Sequence, residues 1–457
     1  MQVDPSLFKA YDVRGIVDRT LTEEAARAIG AAFGSEASVR GVKEVAIGRD
    51  GRLSGPRLAA ALMDGIRSTG TAVIDVGMVA TPMLYFATAT SRAAGGAMIT
   101  ASHNPGAYNG FKVCGPNAVP IGIESGLRAI RDAALALEDE PAPAPRGALR
   151  SLDVRTPYGD SLLALFPARP RLRAVIDAGN GIAGEANSAL LDRLPLQTRR
   201  MYFEPDGSFP NHEADPLKAE NLHDLQKAVL AEKADLGIAF DGDGDRAVFV
   251  DEKGEAVPAD LMTALFCDVI LERGLLGAGP GTPILYDLRS SRVVPETLRA
   301  RGAEPVRSRV GHAFMKAIMR ERGACFGGEL SGHYYFRFPA GYIGDDGAAA
   351  MLLLLEALAA RARPLSELWR PYRRYRQSGE INRRVPDVAK TLARVRAAYP
   401  EGDADELDGL TISYPTWWFN LRPSNTEPLL RLNLEAPDDA SLARERDRLL
   451  GLIDSAA

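Results

Sequence analysis

Cysteine is scarce in this chain of 457 residues, which has three, Cys114, Cys267 and Cys325. Three scattered cysteines cannot form a disulfide framework, and they include no pair spaced to hold a metal. Their scarcity is typical of a reducing, cytoplasmic compartment. A large excess of either charge is also missing, because 55 Lys and Arg stand against 60 Asp and Glu, for a formal net charge of −5. This balance argues against a dedicated nucleic-acid-binding protein.

Long apolar runs are missing as well. The most apolar stretch, residues 348–355, is too short to cross a bilayer and predicts a buried helix. The N-terminal MQVDPSLFKAYDVRG has no apolar core, which predicts that it is not a signal peptide. A composition of 46% hydrophobic and 25% charged residues is typical of globular proteins, and the length indicates several domains. We expect a cytoplasmic monomer that binds neither nucleic acid nor membranes.

One pattern of strand, helix and strand recurs three times, at residues 42–77, 171–203 and 282–311. Alternation of this kind predicts βαβ units, although any α/β protein contains such units. Each unit is followed by a strand–turn–strand segment that carries glycine and polar residues, at residues 95–113, 234–250 and 323–336. We interpret the chain as three related α/β domains with mixed sheets, each of which presents one functional turn.

Composition also suggests where the domains end. Residues 138–145 are charged and rich in proline, as linkers are. The basic run RPYRRYRQSGE marks a later boundary, and we interpret it as a solvated face or hinge. The predicted domains are 1–147, 148–253 and 254–367, each with one of these turns, and a smaller C-terminal α+β domain, 368–457.

The strongest local signal is DGDGDR, in which Asp241, Asp243 and Asp245 alternate with glycine between two apolar strands. The glycines let the backbone turn tightly, so the three carboxylates converge. Two unit charges ~4 Å apart repel by roughly 4 kcal/mol at an effective dielectric of about 20, and a hard divalent cation relieves that repulsion. We interpret the run as a Mg²⁺ site. An EF-hand is disfavoured because Arg246 stands where that loop needs glycine, and an acidic hairpin without metal is the alternative.

A serine follows another predicted strand, in ITASHNPGAYNGFKV. Asn104-Pro105-Gly106 predicts a turn after it, and Asn109-Gly110 predicts a second turn. On this stretch alone Ser102 is either a capping hydroxyl or a nucleophile, and the cap is favoured because serine in turns usually bonds nearby backbone. If Ser102 carried a phosphate, that group could add a ligand to the metal. The candidate cations around such a phosphate are Arg14, Lys112 and Arg246.

Two further turns carry groups suited to hydroxyl and phosphate recognition. In GGELSGH, Glu329 and Ser331 suit sugar hydroxyls, and His333 can transfer a proton near neutral pH, with a buried structural histidine as an equal alternative. RPSNTEP is typical of a phosphate-binding loop or of an Asx or ST turn. Its candidate residues are Arg422, Ser424, Asn425 and Thr426. Taken alone, His312 is interpreted as structural.

Five motifs occur in order along the chain: FKAYDVRG, TASHNP, DGDGDR, GGELSGH and RPSNTEP. On these motifs the sequence resembles the α-D-phosphohexomutase family, and within it the bacterial phosphomannomutase/phosphoglucomutase branch. The resemblance covers nearly the whole chain. It implies four domains around a central cleft, of which three share an α/β fold and the fourth closes over the substrate.

The resemblance also implies roles for the matching residues. Ser102 resembles the serine that is phosphorylated in the resting enzyme, with a phosphate oxygen joining the three aspartates as a Mg²⁺ ligand. Glu329 and Ser331 resemble the pair that recognises the sugar O3 and O4 hydroxyls. Residues similar to the cations and proton-handling groups near the transferring phosphate are Arg14, Lys112 and Arg246. His312 and His333 resemble cleft residues, and His333 is a candidate acid or base. Tyr11 and His103 match the motifs without a defined role, and the set similar to the site of the non-reacting phosphate is Arg422, Ser424, Asn425 and Thr426.

The implied reaction interconverts hexose 1-phosphate and hexose 6-phosphate through a phosphoserine enzyme. Mg²⁺ is the implied cofactor, and a hexose 1,6-bisphosphate is both intermediate and activator. One position departs from the family, because many relatives carry lysine where this chain has Arg289; an arginine stays charged and would clamp ligand rather than act as a base. Three alternatives remain: a phosphoglucosamine mutase, a Mg²⁺-dependent sugar phosphatase and a non-enzymatic Ca²⁺-binding protein.

Overall fold

The computed structural model describes residues 3–39, 44–91, 93, 95–137, 145–423 and 429–455. The chain forms two compact units. The first unit comprises Met1–Val257, Met319–Glu321 and Ser331–Ser366, and the second comprises Pro258–Ile318, Arg322–Leu330 and Glu367–Ala457. None of the helices in these described ranges combines the length and the hydropathy that a membrane crossing requires.

The N-terminal part of the first unit is built on one mixed sheet. Its elements are β1 (Val13–Ile16), α1 (Glu23–Val39), β2 (Glu44–Arg49), α2 (Gly55–Ser68), β3 (Ala72–Met78), α3 (Thr81–Thr90), β4 (Gly96–Ile99), β5 (Tyr108–Cys114), α4 (Arg128–Ala136) and β6 (Leu149–Ser151). The strands lie in the order β1-β5-β4-β2-β3-β6. β2 pairs in parallel with β3 and β4, and β5 is antiparallel to β4 and β1. The predicted βαβ unit and the strand–turn–strand segment after it are therefore confirmed.

One detail of that segment differs from the sequence-based prediction. Asn109-Gly110 does not form a second turn but lies inside β5, where Gly110 pairs with Arg14 of β1. A Cβ atom on Gly110 would lie 2.0 Å from the carbonyl oxygen of Val13. The glycine is there because two strands approach closely, a requirement that local sequence does not distinguish from that of a turn.

A second mixed sheet follows in the same unit. Its elements are α5 (Arg155–Leu165), β7 (Arg173–Asp177), α6 (Ala183–Leu191), β8 (Gln197–Met201), α7 (His223–Glu232), β9 (Leu236–Phe240), β10 (Ala247–Asp251) and β11 (Ala256–Val257). The strand order is β11-β10-β9-β7-β8, with β7 parallel to β8 and β9, and β10 antiparallel to β9. The acidic run therefore lies in the β9–β10 turn, between two fully buried strands.

The elements of the chain from residue 259 to 361 are α8 (Ala259–Arg273), β12 (Pro283–Asp287), α9 (Val293–Ala300), β13 (Glu304–Ser308), α10 (His312–Arg322), β14 (Phe326–Gly328), β15 (Tyr334–Arg337), β16 (Ile343–Asp345) and α11 (Gly347–Arg361). In the second unit β12 is parallel to both β13 and β14; in the first unit β15 and β16 are antiparallel. The apolar run at 348–355 lies in α11 and is buried, as predicted. The side chain of Asp346 caps this helix by accepting the amide of Ala349.

The C-terminal part of the second unit is a sheet of antiparallel pairs with helices. The chain passes from the first unit to the second within α12 (Leu365–Trp369). The elements that follow are β17 (Arg376–Gln377), β18 (Ile381–Arg384), α13 (Val388–Ala398), β19 (Asp403–Asp405), β20 (Leu410–Ser413), β21 (Trp418–Pro423), β22 (Leu429–Ala436) and α14 (Asp439–Asp454). The strand order is β17-β22-β21-β20-β19, and β18 also pairs with β22. This part has its own apolar core, which includes Val395, Phe419, Leu432 and Leu449. The expected fold class, three mixed α/β domains and a C-terminal sheet domain, is confirmed.

Candidate active site

The β9–β10 turn brings the three predicted metal ligands together. Asp241, Asp243 and Asp245 are buried, and each offers a carboxylate oxygen within 4.8 Å of the others. Burial and the neighbouring charges of Asp245 and Asp243 raise the pKa of Asp241 well above its ordinary value. Oδ1 of Asp243 has no hydrogen-bond partner among the described residues. The three carboxylates repel one another, and one of their buried oxygens accepts no hydrogen bond from the described residues. Both features fit a hard divalent cation, which prefers oxygen ligands.

Lys112, on the neighbouring β5, bridges two of these carboxylates. Its Nζ lies 2.7 Å from Asp243 Oδ2 and 2.6 Å from Asp245 Oδ2. Burial lowers the pKa of Lys112, but the charges of Asp243 and Asp245 outweigh burial and raise it above its ordinary value. Lys112 is therefore charged at neutral pH, and its positive charge partly balances the negative charge of the three aspartates.

Ser102 lies beside the same turn, near the start of the segment that connects β4 to β5. Its Oγ donates to Asp241 Oδ2 at 2.9 Å and lies 3.2 Å from His103 Nδ1. The capping role favoured by the local stretch is wrong, because the hydroxyl points to a residue 139 positions away. Thr100 makes the local backbone bond instead, accepting the amide of Ser102 at 2.8 Å. Ser102 also has a positive φ of 51°, which residues with side chains seldom adopt.

Further cations surround the serine turn. Arg14, on β1, donates through Nη1 to Asn104 Oδ1 at 2.7 Å. The charge of Arg246, burial, and the charges of Arg14 and Lys112 lower the pKa of His103 to about 2. The surrounding positive charges therefore keep the imidazole of His103 neutral. The same positive charges favour an anion beside Ser102.

Arg246 and His333 are joined across a short antiparallel bridge within the first unit. Arg246 Nε lies 3.1 Å from His333 Nε2 and 3.6 Å from Asp241 Oδ2. His333 Nδ1 lies 2.8 Å from Ser331 Oγ. His333 Nε2 is also 3.4 Å from Asp245 Oδ1. The structure therefore brings His333, the candidate acid or base, to the acidic turn, with Ser331 in contact with its other ring nitrogen.

Several residues around this site were not predicted from the sequence. Thr81, the first residue of α3, donates through Oγ1 to Asp243 Oδ2 at 2.6 Å, and its amide donates to Asp243 O at 2.9 Å. Asp345, at the end of β16, forms a second compact group of metal-ligand type with Asp245 and His333. The partners are far apart in sequence, and no local pattern marks either residue.

In the second unit, Arg289 follows β12 and pairs with the residue at the end of that strand. Its Nη2 lies 2.8 Å from Asp287 Oδ2. Burial lowers the pKa of Arg289, but the charge and hydrogen bonds of Asp287 raise it above its ordinary value, so the group is a permanent cation. Asp287 Oδ2 also accepts the amide of Leu330 at 2.7 Å, which places Glu329 beside β12. Glu329 is buried and accepts the amide of Gly311, just before His312, at 2.8 Å.

Three arginines of the second unit converge on one carboxylate. Glu380 lies 3.3 Å from Arg422, 3.2 Å from Arg431 and 3.9 Å from Arg289. Arg289 also pairs with Asp287, so two carboxylates face three guanidinium groups, and the remaining positive charge suits a further anion. The other predicted phosphate-loop residues, Ser424, Asn425 and Thr426, lie outside the described residues.

Two more of the predicted site residues, Tyr11 and His312, lie near the start of a strand and of a helix. Tyr11 lies in the segment before β1, close to Gly122. His312 is the first residue of α10 in the second unit. Together, the mixed sheets and a buried serine among carboxylates and cations define an α/β protein with a site suited to phosphoryl transfer.

Family models support this conclusion along the chain. Residues 5–140, 159–254 and 258–375 match the alpha/beta/alpha domains I, II and III of phosphoglucomutase/phosphomannomutase, and residues 380–452 match its C-terminal domain. The chain belongs to the phosphoglucomutase/phosphomannomutase family.

Known relatives agree with the assignment. The chain is 40% identical to the phosphohexose mutases of Xanthomonas campestris pv. campestris (strain B100) over 96% of its length and 97% of theirs. It is 38% identical to the phosphomannomutase/phosphoglucomutase of Pseudomonas aeruginosa PAO1, over 96% of this chain and 93% of that protein. A crystal structure of a family protein from Burkholderia thailandensis has a TM-score of 0.90 at 36% identity, covering 100% of this chain and 98% of that one. The predicted family and the predicted mutase class are confirmed.

Proposed function

We propose that this protein is a phosphomannomutase/phosphoglucomutase that interconverts hexose 1-phosphate and hexose 6-phosphate through a phosphorylated Ser102. The observation that carries the proposal is the hydrogen bond of 2.9 Å between Ser102 Oγ and Asp241, inside a turn of three buried aspartates. A hydroxyl at this place can carry a phosphoryl group that is balanced by nearby cations. The relatives named as mutases of hexose phosphates support the same reaction.

In the proposed reaction, phosphorylated Ser102 gives its phosphoryl group to the free O1 or O6 of the substrate, and the P–O bond to serine breaks. A hexose 1,6-bisphosphate forms. After it reorients, its other phosphoryl group returns to Ser102, which regenerates the phosphoserine and releases the isomer. The proton of the attacking sugar hydroxyl passes to His333, and the Ser102 oxygen takes up a proton as its bond to phosphorus breaks; the return transfer reverses both proton movements.

The cations, and a metal ion held by the acidic turn, would stabilise the negative charge of the phosphoryl group during its transfer. Arg14, Lys112 and Arg246 stabilise negative charge on the phosphoryl oxygens. We propose that Asp241, Asp243, Asp245 and a phosphoserine oxygen hold Mg²⁺, which would neutralise part of that charge when bound. The charged Lys112 acts as a cation rather than a base.

Recognition of the sugar and of its second phosphate is proposed for the remaining residues. Glu329 would accept hydrogen bonds from sugar hydroxyls, and Ser331 would donate hydrogen bonds to them. The arginine cluster around Glu380 would bind the phosphate that does not react, with Arg289 as a clamp. Additional contacts are proposed for Tyr11, His103, His312, Arg422, Ser424, Asn425 and Thr426.

The test uses purified protein with Mg²⁺ and a trace of glucose 1,6-bisphosphate. We expect conversion of both mannose 1-phosphate and glucose 1-phosphate to their 6-phosphates, and none with Ser102→Ala. Near-normal activity of Ser102→Ala would overturn the proposal. Release of inorganic phosphate without isomerisation would identify a phosphatase instead, and conversion of glucosamine 6-phosphate alone would identify an amino-sugar mutase.

Two further properties are proposed with this function. We expect the protein to act as a cytoplasmic monomer on a small phosphosugar. Sedimentation at assay concentration tests the monomer, since a dimer would show twice the mass of one 49.1 kDa chain.

A further inference from the structure

A buried arginine outside the predicted site residues holds the turn that carries Ser102. Arg52 follows β2, and its side chain is 1% exposed. Its guanidinium donates to backbone carbonyl oxygens throughout that turn, at Ser102 (2.8 Å), Asn104 (2.6 Å), Pro105 (2.9 Å) and Tyr108 (2.8 Å). Its Nε donates to Asp50 Oδ2 at 3.2 Å. Every N–H group of the guanidinium therefore has an acceptor.

The amide side of Ser102 is tied to the same ion pair. Ser102 N donates to Thr100 Oγ1 at 2.8 Å, and Thr100 Oγ1 donates to Asp50 Oδ2 at 2.6 Å. Arg52 thus fixes the carbonyl group of Ser102, while Thr100 and Asp50 fix its amide group. Both peptide groups of the serine are anchored to one buried pair of charges.

This anchoring explains an unfavourable backbone conformation. Ser102 has a φ of 51°, a left-handed conformation that persists only where the surroundings enforce it. With this backbone, the hydroxyl reaches Asp241 at 2.9 Å. Loss of the carbonyl bonds would leave buried acceptors unsatisfied and would let the backbone relax toward commoner conformations.

A second segment of the first unit covers the arginine. The ring of Phe209 lies over the guanidinium, with 5.3 Å between its centroid and Arg52 Cζ. The same segment closes on the serine turn, since a Cβ on Gly106 would lie 2.4 Å from the carbonyl oxygen of Gly207. A substituted side chain at position 52 would have little room to find new partners.

We propose that Arg52 is a positioning residue for phosphoryl transfer, one that holds the turn of residues 102–108 so that Ser102 Oγ points into the acidic turn. This inference rests on the proposed mutase function. A misplaced nucleophile slows the chemical step but leaves the groups that bind the sugar phosphate in place. The rate of transfer, rather than substrate affinity, depends on Arg52.

The test compares Arg52→Lys with a matched control, Arg169→Lys. Arg169 also holds a turn in the first unit, donating to the carbonyl oxygens of Leu163, Phe166 and Ala168 at 3.0, 2.6 and 2.7 Å. Lysine keeps the charge in both variants but cannot reach several carbonyls from a planar fork. We expect Arg52→Lys to lower kcat by about 100-fold, as a small displacement of reacting groups does. KM for glucose 1-phosphate and the Kd for Mg²⁺ should change far less, and Arg169→Lys should keep the wild-type kcat.

Single-turnover transfer from the phosphorylated protein to glucose 1-phosphate should slow by the same factor as kcat. A folded Arg52→Lys protein with wild-type kcat would overturn the proposal. The proposal would also be overturned if Arg169→Lys lost as much kcat as Arg52→Lys and the loss followed the thermal stability of the variant. A rise in KM of Arg52→Lys at constant kcat would overturn it as well.

Thr100→Val provides the deciding measurement if Arg52→Lys does not fold. It breaks the connection from the amide side with little change of shape, so kcat should fall with KM unchanged, and a wild-type kcat would contradict the inference. Failure of the mutase function itself would be visible separately, because then the wild-type protein would not convert hexose phosphates at all.

Discussion

Lys112 shows how one residue can join two parts of a site. It lies on β5, shortly after the turn that carries Ser102, yet its Nζ contacts Asp243 and Asp245 of the β9–β10 turn. Its raised pKa keeps it charged throughout the neutral range. The side chain is therefore placed to stabilise charge that develops on a transferring phosphoryl group.

We predict that Lys112→Met lowers kcat by about 100-fold or more, the usual cost of removing one preorganised charge donor. Lys112→Arg keeps the charge and is the control, with a smaller loss. Steady-state rates with glucose 1-phosphate measure both. Equal rates for Lys112→Met and the wild type would show that the cation has no part in the reaction.

The candidate residues of the site could be predicted from local sequence, but most of the hydrogen bonds and ion pairs between them could not. Ser102, Lys112 and the aspartates are all marked by motifs. The role of Ser102 is ambiguous from sequence, because the rule that serine caps nearby backbone describes only neighbours in the chain. Arg52 and Thr81 escape prediction because their partners lie 50 and 162 positions away. Such contacts depend on tertiary structure, which no local spacing encodes.

At the scale of elements, the β9–β10 turn concentrates negative charge inside the protein. Its three aspartates are buried, and burial with mutual repulsion raises the pKa of Asp241. A bound divalent cation would remove this repulsion in the folded state only, so it should stabilise the fold.

We predict that Mg²⁺ at 100 times its Kd raises the free energy of unfolding of the first unit by about 2.7 kcal/mol. Asp243→Asn, which weakens the ligand set, should show a much smaller gain at the same concentration. Chemical denaturation with and without Mg²⁺ measures both proteins. An equal gain in the two would mean that the cation binds elsewhere.

The loop after β8 contains a histidine whose charge should influence stability. His212 Nε2 lies 3.1 Å from Asp177 Oδ2, and Nδ1 lies 2.8 Å from the carbonyl oxygen of Glu213. Burial lowers the pKa of His212, but the bonds to Asp177 and Glu213 outweigh it and raise the pKa above its ordinary value. The folded state therefore binds the proton more tightly than the unfolded state does.

This stabilisation is complete below the unfolded pKa, about 6.5, and is lost as pH rises through the higher folded value. We predict that His212→Gln costs about 1 kcal/mol at about pH 5.5, a modest value because the pair is partly solvated, and less at about pH 8.5. Urea unfolding at both pH values measures the difference. A cost that grows with pH would contradict the assignment.

The order of elements was more predictable than their ends. Parallel pairing of β2 with β3, β7 with β8 and β12 with β13 follows from strand–helix–strand alternation and is confirmed. The misassigned turn at Asn109-Gly110 shows the limit, because a glycine in contact with another strand has the same sequence signature as a glycine in a turn. The predicted boundaries after residues 147, 253 and 367 stay predictions.

At the scale of the whole molecule, each of the two compact units contains an apolar core. One core of the first unit includes Leu7, Ile47 and Phe111, and a core of the second includes Phe419 and Leu432. The metal turn belongs to the first unit alone. Unfolding of such a chain need not be a single cooperative transition.

We predict that scanning calorimetry shows a calorimetric enthalpy larger than the van't Hoff enthalpy, as more than one cooperative unit requires. Mg²⁺ should raise the temperature of the transition that includes the first unit, and Asp243→Asn should abolish that shift. A single two-state transition that moves as a whole with Mg²⁺ would contradict the presence of more than one cooperative unit.

Phosphorylation of Ser102 is the central step of the proposed reaction, and it can be measured directly. The protein is first labelled with radioactive phosphate from labelled glucose 1,6-bisphosphate, and the labelled residue is mapped by mass spectrometry. The phosphorylated protein is then mixed with unlabelled glucose 1-phosphate and quenched within one turnover. We predict one label per chain, on Ser102, which passes to the sugar as bisphosphate and then appears in hexose 6-phosphate. Label on another residue, or label released only as inorganic phosphate, would contradict the account.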